Sequence, residues 1–398
     1  MKFTVKNFSL KTFWPACFVI SISCTTPYEP EIDERVFDIL VVDGFLNATE
    51  GIATVKITHA QPIYGTDIPP PEEDANVSLK SSTGSTYPLV ESDPGVYLLQ
   101  GIEVSKDLEY TLHIHTADGR DLQSDPVQVR ATPPIDSISY VVANDGESFD
   151  IQVTTHDPTG ETRYYSWEYS EAYEYNAPFP SGWELTEGNV PVQRTHLNRI
   201  DKCWRYTNPA TISIANSANL SEDIIYLFPL LNIPKASQKI SVRYSILVKQ
   251  RSISPQEYNF LEQLKKSTES VGGLFDPIPA SPAGNIYQLN DRSVPVLGYF
   301  SGSEVKQSRF FIERHELPTH MVVPTTKGAC ELYTTCELNP PPNPGPNFCI
   351  KLEELSPTTV IIRANYDLIG NIVSYDYTIH ECGDCRTQGG TTEQPDFW

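Results

Sequence analysis

Proline and glycine interrupt this chain too often for long helices to persist. There are 33 Pro and 22 Gly among 398 residues, and between them apolar and polar residues alternate in short runs. A two-residue period bounded by turn formers predicts strands, so the fold class is mainly β. Over 36–130 the pattern predicts seven strands, at 37–46, 53–59, 75–80, 86–90, 95–99, 109–116 and 122–130. That is the rhythm of one immunoglobulin-like or transthyretin-like β-sandwich. Within 109–116, Tyr110, Leu112 and Ile114 share one face while Thr111, His113 and His115 share the other.

Ala131-Thr132-Pro133-Pro134 ends that module, and a larger β-rich domain is expected over 131–316. Its longest strands are expected at 149–155, 163–175, 239–249 and 309–314. One helix is well signalled. Ser254 stands as N-cap, Pro255 takes the first helical position and Glu257 closes a capping box; Tyr258, Leu261 and Leu264 form a narrow apolar stripe, and Gly272-Gly273 stops it. Such a helix should lie on the side of a sheet. Residues 317–398 are Pro- and Cys-rich, and 339–346 reads as a rigid extended connector.

The N-terminus predicts export. Lys2, Lys6 and Lys11 precede the apolar run 13–22, which is too short to span a bilayer and reads as the core of a signal peptide over 1–23. Ser23-Cys24 follows, the shape of a bacterial lipoprotein cleavage site at which Cys24 is acylated; the alternative is an ordinary signal peptide whose Cys24 is one more thiol. Residues 24–35 are acidic and carry Pro27 and Pro30, as a tether would. The expected location is the outer membrane, lipid-anchored and surface-exposed. Net charge is −22, so neither nucleic acid nor an anionic membrane surface is an expected partner, and attachment rests on the lipid.

Besides Cys17 and Cys24 the chain has six cysteines: Cys203, Cys330, Cys336, Cys349, Cys382 and Cys385. An even number in an exported chain predicts three disulfides, with 15 possible pairings. We expect Cys203 to tie the central domain to the C-terminal segment, docking it on the body. A zinc site is the rival reading, because Cys382-Gly383-Asp384-Cys385 is a CxxC. No second CxxC exists, so no metal and no cofactor are expected.

Catalytic signatures are missing. No HExxH, GxSxG, GxGxxG or phosphate-loop pattern occurs. His113 with His115, and His315 with His320, lack a placed carboxylate, so solvated or hydrogen-bonded histidines are the simpler reading. Acidic pairs such as Glu72-Glu73 beside Pro69-Pro70-Pro71 fall in a loop. Tyr165, Trp167 and Tyr169 share one strand face, where exposed rings could face a ligand or, more simply, fill a core.

The opening Tyr28-Glu29-Pro30-Glu31-Ile32, then Leu40-Val41-Val42-Asp43-Gly44-Phe45-Leu46, resembles the family called domain of unknown function 4249, lipoproteins of the Bacteroidota. So do Gly273-Leu274-Phe275-Asp276-Pro277, Gly284-Asn285-Ile286, Val296-Leu297-Gly298-Tyr299-Phe300 and the ending from Cys382-Gly383-Asp384-Cys385-Arg386 to Pro395-Asp396-Phe397-Trp398. The resemblance implies a surface lipoprotein associated with a TonB-dependent outer-membrane transporter. It supplies no active site. The expected function is therefore a non-catalytic accessory to substrate capture or uptake. A structural or adhesive surface module is the alternative, and a glycan- or protein-degrading enzyme a more distant one.

Overall fold

The computed structural model describes residues 39–61, 68–188, 190–269, 284–321, 330–338 and 350–398. The signal segment, Cys24, the tether, Cys349, the connector 339–346 and the Gly272-Gly273 stop lie outside them. The described chain is mainly β and contains one helix longer than a single turn, Pro255–Glu269.

Two sheets form the expected N-terminal sandwich. One runs Leu297–Ser303, Leu40–Asn47, Ile52–His59, Val96–Gln100, Val90–Asp93; the other runs Ile286–Gln288, Asp121–Ser124, Glu109–His115, Asn76–Ser81, Thr86–Pro88. Alternation decides which side chains meet. Leu40, Val42 and Leu46 point inward with Val55, Ile57, Leu79, Leu112, Ile114 and Phe300, all buried. The expected strand 122–130 is split into Asp121–Ser124 and Val127–Gln128, with Pro126 between them, since proline cannot donate to the ladder.

The module is not contiguous in sequence, contrary to the boundary at 130. Ile286–Gln288 pairs with Asp121–Ser124, and Leu297–Ser303 pairs in parallel with Leu40–Asn47. A parallel neighbour requires a long crossover, and here the crossover is most of the central domain. Local periodicity carries no information about such a return. The returning strand is fitted closely: Gly298 has φ +116°, and a Cβ there would stand 1.8 Å from the Val42 carbonyl oxygen. Asn285 braces the strand's free edge, its Nδ2 donating to the Phe300 carbonyl and its Oδ1 accepting from the Phe300 N–H, each at 2.8 Å.

The central domain is a second sandwich. Ile135–Val142, Ser148–His156 and Ile224–Pro234 form one sheet; Lys202–Thr207, Tyr164–Asn176, Arg243–Ser252 and Val305–Glu313 form the other. Phe149, Ile151 and Val153 meet Trp167, Tyr244, Ile246 and Val248 in its core.

The C-terminal segment adds Tyr333–Thr334, Thr359–Tyr366 and Ile372–Ile379 as a small sheet. It packs on the central hairpin Trp183–Thr186/Val190–Gln193, where Trp183 and Leu185 join Ile361, Tyr375 and Tyr377. A Cys203–Cys385 bridge ties it to the central sheet, and Cys330–Cys382 closes it on itself. Cys336 is also disulfide-bonded. The two thiols of the CxxC thus go to different partners, which removes the zinc reading for that pair.

Candidate interdomain binding site

The two sandwiches meet through outward faces, and between them lies a cavity of about 1060 Å³. Its construction follows from alternation. With Val42, Gly44 and Leu46 turned inward, strand Leu40–Asn47 presents Val41, Asp43 and Phe45 on its other face, and the returning strand adds Leu297, Tyr299 and Ser301. Across the space, Tyr164–Asn176 buries Trp167 inward and turns Glu168 and Ser170 outward, while Arg243–Ser252 turns out Leu247, Lys249 and Arg251. The helix closes one side with Phe260, Leu261 and Leu264.

Ser254 caps that helix by accepting the Glu257 N–H at 2.9 Å. The reciprocal half of the expected capping box is not made. Glu257 instead accepts from the Arg251 guanidinium, a charge-assisted bond stronger than one to a backbone N–H. Arg251 also reaches Ser301 Oγ at 3.2 Å and lies 5.1 Å from the Phe45 ring centre. Burial works against its charge, but Glu257, followed by Glu168 and Asp43, more than offsets this and raises its pKa.

Asp43 is exposed at the cavity surface, yet the two sandwiches crowd its carboxylate. Dehydration raises its carboxyl above the usual range, and Arg251 only partly opposes the rise. Burial likewise raises the Tyr299 hydroxyl, which lies 3.3 Å from Ser254 Oγ. Among the described residues, Asp43, Glu168, Lys56 and Lys249 make no side-chain hydrogen bond and no ion pair.

Of the aromatic row, Tyr165 and Trp167 are core and not ligand-facing, whereas Tyr169, itself nearly buried, forms part of the cavity wall. The three are 0%, 1% and 7% exposed. Trp167 stacks on Phe228 at 4.8 Å and donates to Gln250 Oε1 at 2.8 Å; Tyr165 donates to Asp223 at 2.7 Å. The polar tips of Tyr165 and Trp167 are satisfied internally, so those rings can be buried without loss. His115 pairs with Asp121 at 2.7 Å, and burial followed by the Lys80 charge lowers the His113 pKa. His315 and His320 fall in separate short turns, Arg314–Glu316 and Thr319–Met321. Glu72 is buried and lies 2.8 Å from His59. No group of three or more potential metal ligands occurs among the described residues.

Of the residues that line the cavity, sequence reasoning named only Tyr169 as a ligand-facing candidate and missed the rest, although a signal was present. Strand Leu40–Asn47 carries Val41 and Phe45 on the face opposite its core face. Two large apolar residues on a nominal solvent face mean that something covers it.

Two sandwiches joined through a walled cavity define a multidomain β protein. The chain belongs to the family described as Domain of unknown function (DUF4249), whose model matches residues 25–309. The match ends before the cysteine-bearing tail. Among solved structures, a two fibronectin type-III domain segment from chicken tenascin is similar at 15% identity, over 55% of this chain and 91% of that one, with a TM-score of 0.14. No curated protein matches the chain.

Proposed function

We propose that this protein is a non-catalytic, lipid-anchored surface protein of the outer membrane that holds a ligand for a neighbouring TonB-dependent transporter. The observation that carries the binding role is the interdomain cavity, at about 1060 Å³ the size of a small-molecule or oligomer site. The signal segment, Cys24 and the acidic tether support the anchored location, and the family resemblance supports the transporter. Cys24→Ala is expected to release the folded body from the membrane fraction. Wild-type protein extracted in mild detergent is expected to bring the transporter with it. Recovery of the protein alone, under conditions that keep other transporter complexes whole, would refute the accessory role; loss of surface attachment on deletion, with transport intact, would favour the adhesive alternative.

One observation favours a hydrolytic reading: Asp43 and Glu168 enter the cavity from facing sheets, and burial raises the first, as an acid catalyst requires. Turnover of chromogenic glycosides that is lost in both Asp43→Asn and Glu168→Gln would replace the binding role with it.

A further inference from the structure

We propose that the cavity takes a short zwitterionic peptide with aliphatic side chains. The inference rests on the binding role above and names its ligand class. Three observations lead to it. The first is charge pairing: Asp43 stands opposite Lys56 on adjacent strands of one sheet, and Glu168 stands opposite Lys249 on the facing sheet, all four lining the cavity. Cross-strand neighbours of opposite sign are placed to pair. Among the described residues these make no side-chain hydrogen bond and no close ion pair. Arg251 acts on Asp43 and Glu168, and Lys56 on Asp43, through charge at longer range alone, so each sheet offers the cavity one carboxylate and one ammonium free to bond a guest.

A guest entering the cavity displaces the water that hydrates those four charges. The four side chains are solvent-exposed, so a neutral guest would cover them in part and leave them less hydrated, at a net desolvation cost. An anionic guest would satisfy the lysines but meet Asp43, Glu168 and a body of net charge −22. A guest carrying one ammonium and one carboxylate restores partners of both signs.

The second observation is the state of the aromatic rings. Sugar recognition uses open ring faces, yet Phe260 and Tyr299 pack on each other at 5.2 Å, Arg251 covers Phe45, and Tyr169, the fourth ring in the wall, is only 7% exposed. The third is the aliphatic share of the remaining wall, Val41, Leu247, Leu261, Leu264 and Leu297, interrupted by the uncharged polar side chains of Thr54, Ser170, Asn208 and Thr211. Aliphatic walls with separated charges of both signs match the side chains and termini of an apolar peptide.

Calorimetric titration of the detergent-solubilised full-length protein tests this with three probes: trileucine, N-acetyl-trileucine amide and cellotriose. Trileucine is expected to bind, with the blocked peptide at least about tenfold weaker because its charge-assisted bonds are gone. Asp43→Asn and Glu168→Gln should each weaken trileucine about tenfold and leave the blocked peptide unchanged. Among the described residues Asp43 makes no side-chain hydrogen bond and no close ion pair, so its variant should fold, and a melting temperature no lower than that of wild type checks that. Equal affinity for blocked and free peptide would overturn the zwitterion assignment. Binding of cellotriose alone, abolished by the cavity-filling Leu261→Trp, would overturn the ligand class while sparing the cavity's binding role. Silence from all three probes would overturn the ligand class, with the transporter association still decided by co-purification.

Discussion

The N-terminal sandwich and the C-terminal tail are both made of short antiparallel strands, but different forces hold them. The sandwich closes two sheets over a row of fully buried side chains that includes Val42, Leu46, Leu79, Leu112 and Phe300, and no cysteine lies in any of its strands. The tail has one small sheet whose core, around Ile361, Tyr375 and Tyr377, is completed only by Trp183 and Leu185 of the central hairpin. Here the cysteines concentrate. Cys203–Cys385 spans 182 residues, and Tyr175 donates to the Cys385 carbonyl at 2.8 Å beside it. The C-terminal Phe397 and Trp398 lie 3.5 Å from Arg309 and 5.1 Å from Arg243. Covalent closure appears where buried area is short, in keeping with the rule that a small core needs added constraints.

The sharpest way to break this contrast is to empty the sandwich core. Phe300→Ala removes a side chain with no exposure from the strand that the chain returns to supply. We expect a loss of about 3–5 kcal/mol, read by urea denaturation, with the tail's bridges intact by mass. If the loss were under about 1 kcal/mol, the returning strand would be an accessory to the sandwich and not part of its core.

The next effect falls on the other region. Replacing Cys203 and Cys385 together by Ser should destabilise the tail's docking by about 2–4 kcal/mol. Limited proteolysis is expected to release fragments after residue 317 while the N-terminal sandwich survives. Simultaneous digestion of both regions would show that the bridge stabilises the whole body. Within the tail, Asp376 accepts from Arg363 Nε at 2.7 Å, Thr334 Oγ1 at 2.8 Å and Asn365 Nδ2 at 2.9 Å. Burial opposes its charge, but these bonds prevail and hold its pKa below the usual value. Asp376→Asn should cost about 1–2 kcal/mol at neutral pH. Because the folded pKa is depressed, that contribution is present above the unfolded value and lost as pH falls through the folded one. A cost that persisted undiminished in strong acid would exclude the charge as its source.

Alternation and turn chemistry made strands legible wherever both ends were marked, as in Glu109–His115 and Tyr164–Asn176, and the Ser254-Pro255 signal located the helix start. What stayed hidden was long-range. Nothing local in Val296-Leu297-Gly298-Tyr299-Phe300 says that it pairs with Leu40–Asn47, yet that pairing explains why Gly298 admits no side chain. The cavity was hidden for the same reason, since its walls come from segments more than 200 residues apart. Tyr165, Trp167 and Tyr169 drew attention as a row of rings, while the chemistry exposed on that strand belongs to Glu168, on the opposite face. Composition marks the residues with large side chains; only packing tells which face is covered.

The smallest expected effect compares Asp376 with Asp43, whose folded pKa moves the other way. Dehydration in the cavity raises it, Arg251 opposing. An acid whose folded pKa exceeds its unfolded value binds more protons when folded, so its ionisation destabilises the fold as pH rises from the unfolded value through the folded one. Asp43→Asn abolishes this titration. The variant should match wild type in stability below about pH 3.9, the unfolded reference, and become the more stable of the two at neutral pH. Asp43 touches water, so the gain is discounted to the order of a few tenths of a kcal/mol. Urea midpoints measured across pH 3–7 for wild type and variant would show the two curves diverging upward. Curves diverging in the opposite sense would mean that ionised Asp43 has found a partner in solution, and that the cavity does not hold it unpaired for a ligand.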